Sequence, residues 1–361
     1  MQPSYLYAQS LDEVSNTVEH IGPKRFVQVE GGMGSGKTAS MAALAKRLGL
    51  KLLRLDCALL SVQDLFVPWP DNTRGCVDML PNSMFGLHDP EPQLILFDEL
   101  PKASRETLNA INGIIHEREL CGKKFHPDTI MVGTGNLASE GLGDMLQAHS
   151  KDRMVIIRLK PTDADSVLEY GINNGWHHTM LGAIREFGSQ WFQPVEEVKD
   201  PNDNPYIAHP LAPERDATVT MRSVHMGSDI FHEQDRLSEN ALTSCLIGAI
   251  GAPAAMDAMT YAKMASQLTP SADIKTNPDT ALVPTSPACQ VMVVMREVTN
   301  MTSDMVTPFM TYLQRLPAEM QGMFANTVNA EKYTHRKVVT TNKAYSQWCL
   351  NNNHLFAADK A

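Results

Sequence analysis

The sequence predicts an α/β fold in which a five-stranded parallel sheet is followed by a long helical region. Three observations support this prediction. A glycine-rich loop lies between a β-prone run and an alanine- and leucine-rich helix, five short apolar runs separated by helical segments end near residue 160, and helical patterns then replace strand patterns. Alternating strands and helices are typical of a parallel sheet covered on both faces.

The glycine-rich loop is the element around which the sequence is organised. Residues 31–38, GGMGSGKT, match the pattern G-x-x-x-x-G-K-[ST]. Glycines let successive backbone N–H groups turn towards an anion, and the following helix adds the positive end of its dipole. Lys37 is therefore predicted to reach the β- and γ-phosphates of a nucleotide, and Thr38 to hold Mg²⁺. The residues predicted to bind the nucleotide are Gly31, Gly32, Met33, Gly34, Ser35, Gly36, Lys37, Thr38 and Ala39.

The second informative element is an apolar run that ends in two acids. Residues 93–97, QLILF, precede Asp98 and Glu99. A continuous apolar run is typical of a strand covered on both faces, and ligands bind at the carboxyl ends of such strands. Together with the loop, this pattern predicts that Asp98 holds Mg²⁺ and that Glu99 polarises the water that attacks the γ-phosphate.

The other elements follow from periodicity and composition. A helix is predicted before the first strand, over 11–21, and an amphipathic helix over 104–117. Residues 63–92 contain five prolines and predict an insertion or a mobile loop. A small hairpin over 120–125 is predicted to turn at Gly122. Strands are predicted at 25–30, 51–56, 93–99, 129–136 and 154–159, and later helices at 163–174, 178–187, 219–233, 237–250, 252–267, 288–300, 304–315 and 343–358, with Pro-rich connections at 193–215 and 269–287.

Composition narrows the functional class. The 361 residues include 31 Lys+Arg and 41 Asp+Glu, and the net charge of -10 argues against a surface that coats nucleic acid. Arg54 and Lys124 belong to no basic stripe. Six scattered cysteines without a C-x-x-C pair predict reduced thiols, and His177 with His178 predicts surface residues at a helix start rather than a metal site. No membrane-length apolar run and no signal-peptide pattern are present, which predicts a soluble, cytoplasmic protein.

In the order of its elements, the sequence resembles the AAA+ ATPases, and more narrowly their MoxR-like branch, over residues 8–325. GGMGSGKT, LILFDEL and the run ending in GTGN are similar to Walker A, Walker B and sensor 1. The resemblance implies a P-loop NTPase (AAA+) core over 1–160, a helical lid over 161–270 and a C-terminal helical extension over 271–361. It also implies that Asn136 helps Glu99 to position the attacking water.

Two arginines receive roles from the resemblance alone. Residues 145–154, MLQAHSKDRM, resemble a stretch that ends in Asp-Arg-Phe in MoxR-like proteins. This implies that Arg153 is a finger that reaches the neighbouring subunit's nucleotide. Residues 217–230 resemble the segment that opens the lid helix, which implies that Arg222 is sensor 2, although Met221 and Val224 replace the usual proline and tryptophan.

Two insertions also fit the MoxR-like branch. Residues 62–88 fall where relatives carry a helix-2 insert, and 118–126 fall where they carry a hairpin before sensor 1. In the ring of such proteins these insertions face the central channel or the partner. Phe66, Trp69 and Phe85 are therefore candidate aromatic residues for gripping a substrate.

The leading hypothesis is a MoxR-like AAA+ ATPase that uses ATP and Mg²⁺ in a homo-oligomeric, hexameric ring. It would remodel, activate or load a partner protein, for which the resemblance implies a client with a von Willebrand factor A domain. One alternative is a DNA-directed motor or helicase loader, for which residues 63–92 offer only Arg74 as a basic side chain. Another is a nucleotide-gated structural ring with little turnover, against which the intact Asp98-Glu99 pair counts.

Overall fold

The computed structural model describes residues 7–137, 148–265 and 268–352. The chain forms two compact units, Met1–Pro161 and Thr162–Ala361. The first unit contains every strand found in the described ranges, and the described part of the second contains helices and turns.

The described part of the first unit contains nine strands and four α-helices. Its strands are β1 (Phe26–Gly31), β2 (Lys51–Asp56), β3 (Phe66–Asp71), β4 (Cys76–Pro81), β5 (Gln93–Asp98), β6 (Glu119–Leu120), β7 (Lys123–Lys124), β8 (Ile130–Asn136) and β9 (Met154–Arg158). Its helices are α1 (Leu11–Ile21), α2 (Lys37–Leu48), α3 (Arg105–Glu117) and α4 (Ala148–Lys151).

Five of these strands form one parallel sheet in the order β2-β5-β8-β1-β9. This confirms the predicted five-stranded α/β fold. Gly31 at the end of β1 lies opposite Asn136 at the end of β8, and Phe26 lies opposite Met154 at the start of β9. The glycine-rich loop after β1 and the two acids at the end of β5 therefore reach the same edge of the sheet, with the end of β8 between them.

Each face of the sheet packs its own apolar core. Val29 and Leu96 belong to the core that α1 and α2 cover, whereas Phe97 and Ile111 belong to the core that α3 covers. Because successive side chains of a strand point to opposite faces, Asp98 lies on the same face as Leu96. The sheet therefore directs Asp98 towards α2, the helix that follows the glycine-rich loop.

The two predicted helices of this unit begin at polar caps. Ser10 and Glu13 form a reciprocal capping box at the start of α1, and Val14 and Val18 are buried beneath it. The Ser104 hydroxyl accepts a hydrogen bond from the Thr107 backbone N–H at the start of α3. Such caps satisfy backbone N–H groups that have no acceptor inside the helix.

The insertion between β2 and β5 is an ordered antiparallel hairpin, β3–β4, in which Phe66 lies opposite Pro81 and Asp71 lies opposite Cys76. The predicted insertion is therefore present as a hairpin rather than as a mobile loop, and the fully described residues 57–92 contain no α-helix. Prolines at 68 and 70 prevent a helix, whereas the alternating Val and Trp residues suit a strand. Phe85 is fully buried, which excludes it from gripping a substrate and agrees with the alternative that loop aromatics pack beneath the loop, whereas Trp69 is 61% exposed.

The second hairpin is confirmed close to its predicted position. β6 and β7 pair through Leu120 opposite Lys123, so that the turn consists of Cys121 and Gly122. Both turn residues have positive φ angles, 54° and 74°. A two-residue turn with two positive φ angles matches the right-handed twist of the strands that it joins.

The second unit is helical throughout its regular elements. Its helices are α5 (Ala164–Asn173), α6 (His178–Trp191), α7 (Met221–His232), α8 (Glu239–Ile250), α9 (Ala252–Ala265), α10 (Ser271–Thr276), α11 (Pro287–Thr299), α12 (Ser303–Leu313), α13 (Ala318–Asn329), α14 (Arg336–Thr340) and α15 (Lys343–Asn351). One apolar core contains buried side chains from both sides of residue 270, among them Met180, Phe231, Met292 and Phe324. The predicted division into a lid and a C-terminal extension stays a prediction.

Three helices of the second unit were not predicted. α10 and α14 are only six and five residues long, and α13 carries an irregular mixture of apolar and polar residues.

The predicted exposure of His177 is wrong. His177 caps the start of α6 as expected, but it is 8% exposed rather than a surface residue. The predicted ends of the helices 252–267 and 343–358 lie partly outside the described residues. Among all the residues that the structure describes, no helix is both long enough and apolar enough to cross a membrane.

Candidate nucleotide-binding site

The glycine-rich loop joins the end of β1 to the start of α2. Gly34 and Gly36 have φ angles of 67° and 86°, which side chains with a Cβ rarely adopt. Gly31 is required for a different reason, because a Cβ at that position would lie 2.8 Å from Leu159 Cβ. Gly36 is the N-cap of α2, whose first turn contains no acidic residue. The backbone N–H groups of that turn are therefore free of competing carboxylates and suited to an anion.

Lys37 lies at the centre of this loop with its side chain largely buried. Its ammonium group donates hydrogen bonds to the carbonyl oxygens of Gly31 and Gly32 at 2.8 and 2.7 Å. It also donates to Asn136 Oδ1 at 3.3 Å. The structure thus brings together the predicted phosphate-binding lysine and the amide at the end of β8.

Asp98 connects the acidic strand end to the loop. Thr38 Oγ1 donates a hydrogen bond to Asp98 Oδ1 at 3.0 Å. Thr134 Oγ1 on β8 donates a second hydrogen bond to the same carboxylate oxygen. The two residues predicted to hold the metal, Thr38 and Asp98, are therefore in direct contact, and Thr134 fixes the carboxylate from the neighbouring strand.

The other oxygen of Asp98 is bound by an arginine that the sequence analysis did not assign to the site. Arg54 on β2 donates a hydrogen bond from Nε to Asp98 Oδ2 at 2.8 Å, and its Nη2 lies 2.6 Å from the same oxygen in an ion pair. Asp56 lies opposite Asp98 in the β2–β5 pairing, so Arg54, two residues earlier, faces the same side. This shared parity was the signal that could have placed Arg54 near Asp98.

Glu99 lies just beyond the end of β5 in a left-handed backbone conformation with φ 52°. Its backbone N–H donates to Thr134 Oγ1 at 3.2 Å, so this hydroxyl joins both acids to β8. The Glu99 carboxylate forms an ion pair with Lys102 at 2.6 Å, and about two-fifths of each side chain is exposed (42% and 39%). The Glu99 carboxylate therefore remains accessible to solvent, unlike the Asp98 side chain, which is 6% exposed.

Close packing below Glu99 fixes the position of this turn. Pro101 lies against Gly135, where a Cβ would approach Pro101 Cγ to 2.8 Å. Cys57, whose backbone N–H donates to the Asp98 carbonyl oxygen, is buried nearby. Burial, with smaller contributions from Asp56 and Asp98, raises the pKa of the Cys57 thiol to about 12. This cysteine is consequently a packing residue rather than a nucleophile.

One predicted arginine of the first unit, Arg153, is not part of this cluster. Arg153 is exposed and directly precedes β9, whose first residue lies opposite Phe26 at the start of β1. The length of β1 separates that end of the sheet from the glycine-rich loop by about 16 Å. Arg222 is an exposed residue in the first turn of α7, in the second unit. A Thr220–Ser223 capping box fixes this helix start, in place of the proline that the resemblance implies.

The donor atoms fit a magnesium nucleotide better than a metal held by protein alone. The Thr38 hydroxyl and the Asp98 carboxylate are oxygen ligands of the kind that Mg²⁺ prefers. Over the described ranges, no group of three or more His, Cys, Asp or Glu side chains is arranged to hold a metal ion. Mg²⁺ commonly binds through one or two protein oxygens and completes its shell with phosphate oxygens and water. The site has the composition that such sharing requires.

The five-stranded parallel sheet, the glycine-rich loop and the strand-end acids define the class of the fold as an α/β P-loop NTPase. No protein-family model and no curated protein sequence matches the chain. Solved structures with a similar fold include a candidate ATPase from Cytophaga hutchinsonii, the RuvB Holliday junction branch migration motor of Thermotoga maritima, and NtrX from Brucella abortus in complex with ADP.

The likeness to these three structures is distant. Their sequence identities to the chain are 14%, 12% and 13%, and their TM-scores are 0.34, 0.38 and 0.33. The matches cover 68%, 69% and 71% of this chain, and 82%, 67% and 67% of the respective structures. Similarity at this level assigns neither a substrate nor a partner, so the functional interpretation depends on the geometry of the site.

Proposed function

We propose that the chain is an oligomeric, MoxR-like AAA+ ATPase that hydrolyses ATP to remodel, activate or load a partner protein. The observation that carries this proposal is the convergence of the loop with two strand ends. Thr38 contacts Asp98 at 3.0 Å, and Lys37 contacts Asn136 at 3.3 Å. A phosphate-binding loop, a metal carboxylate and a polar strand end are the groups that phosphoryl transfer to water requires.

Each residue of the site has a separate role in the proposed hydrolysis. The N–H groups at the start of α2 and the Lys37 ammonium would hold and neutralise the phosphates. Thr38 and Asp98 would hold Mg²⁺, whose charge reduces the repulsion between the phosphate oxygens and an incoming nucleophile when it is bound. Glu99 would accept a proton from the attacking water, which Asn136 would orient, and the products would be ADP and inorganic phosphate.

Assembly into a ring is proposed because the resemblance implies that Arg153 acts on the nucleotide of a neighbouring copy. Arg153 lies at the opposite edge of the sheet from the loop of its own chain, which agrees with a role in a neighbouring copy's site. An arginine supplied in this way is worth about 10³ to 10⁵ in rate in NTPases generally. Arg222 is proposed to sense the nucleotide from the helical unit.

A protein client is favoured over DNA by the β3–β4 hairpin. Val67, Trp69, Val77 and Met79 are between 44% and 61% exposed, so the hairpin offers apolar surface. Its basic residue, Arg74, is already bonded to acids of the same hairpin. DNA binding would instead need unpaired positive charge along the contacting surface.

The substitution Glu99→Gln tests the catalytic part of this proposal. The variant should bind ATP with nearly unchanged affinity but lose about 10²- to 10⁴-fold in steady-state phosphate release, because the amide cannot accept a proton. Glu117→Gln is a suitable control, since Glu117 is an exposed carboxylate at the end of α3. Normal turnover by the Glu99→Gln variant would remove Glu99 from the role of base.

The same variant tests the role in a complex. An ATP-bound Glu99→Gln protein should form a stable oligomer by light scattering and retain its client in a pull-down.

Arg153→Ala should hydrolyse ATP poorly alone, yet an equal mixture with the Glu99→Gln variant should regain activity at mixed interfaces. Absence of recovery in a mixture that co-assembles would exclude Arg153 as a residue acting between subunits.

A further inference from the structure

The contact between Arg54 and Asp98 is unusual for a carboxylate that is expected to hold a metal ion. Both carboxylate oxygens are occupied by protein donors: Oδ1 by the hydroxyls of Thr38 and Thr134, and Oδ2 by the Arg54 guanidinium. The Asp98 side chain is only 6% exposed, whereas that of Arg54 is 57% exposed. A buried anion is thus held by a cation that is itself partly in solvent.

The position of Arg54 in the fold explains why it can be both strongly bonded and displaceable. β2 is an edge strand of the sheet, and among the described residues no strand pairs with its other side. Arg54 reaches diagonally to β5 across the face that Asp98 shares. Within the described residues, Asp98 is the one group to which its guanidinium donates a hydrogen bond. Release from Asp98 would therefore cost one ion pair and leave the guanidinium in water.

Arg54 and a divalent cation would compete electrostatically for the Asp98 carboxylate. An isolated carboxylate is costly to bury, so Asp98 requires a cation or strong donors in its environment. Arg54 supplies that charge through one hydrogen bond and an ion pair to the same carboxylate oxygen. A divalent ion at the same carboxylate would add a second positive centre a few ångströms away, and two cations at that separation repel each other. Binding of the metal is therefore coupled to weakening of the Arg54 contact.

We infer that Arg54 is a built-in counter-ion of Asp98 that competes with the divalent cation for this carboxylate. It is a positioning residue that sets the metal concentration at which the site becomes loaded. In its presence Asp98 is neutralised and held in place without metal, and the metal requirement is raised accordingly. This inference rests on the proposed function, because it takes Asp98 as the carboxylate that holds the metal.

Metal-dependent binding of a nucleotide that is not hydrolysed tests this competition. The fluorescent ADP analogue mant-ADP would be titrated with Mn²⁺ on the full-length protein, together with Mn²⁺ binding measured by electron paramagnetic resonance. Arg54→Met should lower the Mn²⁺ midpoint about tenfold, since it removes the rival cation while keeping most of the apolar stem. Arg54→Lys should give an intermediate value, because lysine keeps the charge but not the guanidinium fork.

A matched control is available in the same unit. Arg47 on α2 is 55% exposed and bonds Glu19 at 2.6 Å, so it forms an ion pair of similar length away from the metal ligands. Arg47→Met should leave the Mn²⁺ midpoint unchanged. Combining Arg54→Met with Asp98→Asn should abolish the tenfold gain, because the carboxylate for which the cations compete is then absent.

Thermal unfolding gives a second readout that a purely structural role of Arg54 would not produce. Without metal, Arg54→Met should unfold at a lower temperature than the wild type, because Asp98 is left without its counter-ion. Added Mn²⁺ should close this gap, since the metal replaces the missing charge. If Arg54→Met cannot be purified without metal, the Arg54→Lys variant and the metal midpoint still decide the question.

The possible failures are distinguishable. An unchanged or higher Mn²⁺ midpoint in Arg54→Met would overturn the competition and make Arg54 a residue that orients Asp98 for metal. If at the same time Asp98→Asn weakened metal-dependent mant-ADP binding, the proposed function would stand without this inference. If the wild-type protein bound no nucleotide at any metal concentration, the proposed function itself would fail.

Discussion

The strand-end site and the β3–β4 hairpin are close in sequence but opposite in their environments. Asp98 is 6% exposed and accepts hydrogen bonds on both carboxylate oxygens. Trp69 in the hairpin is 61% exposed. The site is held by contacts from three strands and a helix, whereas the outer part of the hairpin is held by its own ladder and by the Arg74–Asp71 ion pair at its tip. Contacts with the rest of the fold therefore fix the side chains of the site, whereas the outer side chains of the hairpin remain exposed to solvent.

The prolines of the hairpin add to this contrast. Proline has no N–H group to donate, so Pro68 and Pro70 remove two donors from β3, and Pro81 removes one from β4. Prolines on exposed strands discourage pairing with strands of other molecules. A partner of the hairpin would therefore meet apolar side chains rather than a free hydrogen-bonding edge.

The largest expected difference between the two regions is the reactivity of their cysteines. Cys57 below the site is buried, and burial raises the pKa of its thiol to about 12. At pH 8 only about 10⁻⁴ of such a thiol is ionised, and the thiolate is the reactive form. Cys76 in the hairpin is exposed. Mass spectrometry after brief iodoacetamide treatment should show Cys76 alkylated and Cys57 unmodified until the protein is unfolded.

The sign of the pH dependence follows from the same shift. Because the folded state holds the Cys57 proton more tightly than the unfolded chain does, its contribution to stability is present at neutral pH. That contribution declines as the pH rises above 9 towards 12. Rapid modification of Cys57 at pH 8 in the folded protein would mean that this side of the sheet opens readily, and the contrast in environments would then be lost.

One aromatic residue of the insertion, Phe85, gives the next largest effect. Phe85 follows the hairpin and is fully buried in the core beneath α3. Phe85→Ala should lower the free energy of unfolding by about 3 to 5 kcal/mol, the usual cost of removing a buried aromatic ring. Urea unfolding followed by circular dichroism measures this loss. A cost below about 1 kcal/mol would place Phe85 with the open region rather than with the sheet.

Sequence reasoning succeeded where a structure is encoded locally. The loop at residues 31–38, the apolar run before Asp98 and the apolar faces of α1 and α3 each depend on residues within a few positions of one another. The fold class, the five strands and the contact of Thr38 with Asp98 follow from such patterns. The α-helix signal also served well for long periodic segments such as α3 and α8.

Sequence reasoning failed where a structure depends on distant contacts or on conflicting local signals. Arg54 meets Asp98 only through the register of β2 with β5, which no motif states. Thr134 joins the two acids because β8 lies beside β5 in the sheet. His177 is buried by the packing of its unit rather than by any pattern around it. The β3–β4 hairpin was missed because its five-proline segment masks the alternation of Val and Trp.

Two glycine-to-alanine substitutions, at Gly31 beside the site and at Gly113 inside α3, should have smaller and opposite effects on stability. Gly31→Ala should cost about 1 to 3 kcal/mol, because the new methyl group would lie 2.8 Å from Leu159 Cβ at the entrance to the loop. Gly113→Ala, inside α3, has no atom within 4 Å of the added Cβ and should stabilise the protein by up to about 1 kcal/mol. Chemical denaturation should therefore move the two midpoints in opposite directions, and equal shifts would contradict the close approach at Gly31.

The smallest expected effect concerns Trp69. Its substitution tests whether the hairpin is an exposed surface or a packed part of the fold. Because its side chain is largely in solvent, Trp69→Ala should change the free energy of unfolding by less than about 0.5 kcal/mol and leave basal ATP hydrolysis unaltered. The same large aromatic side chain would cost several times more if it packed against the chain, as Phe85 does. Parallel urea titrations of the two alanine variants measure this ratio directly. A loss of more than about 2 kcal/mol for Trp69→Ala would show that the hairpin is a packed part of the fold and would withdraw it as a surface for a protein client.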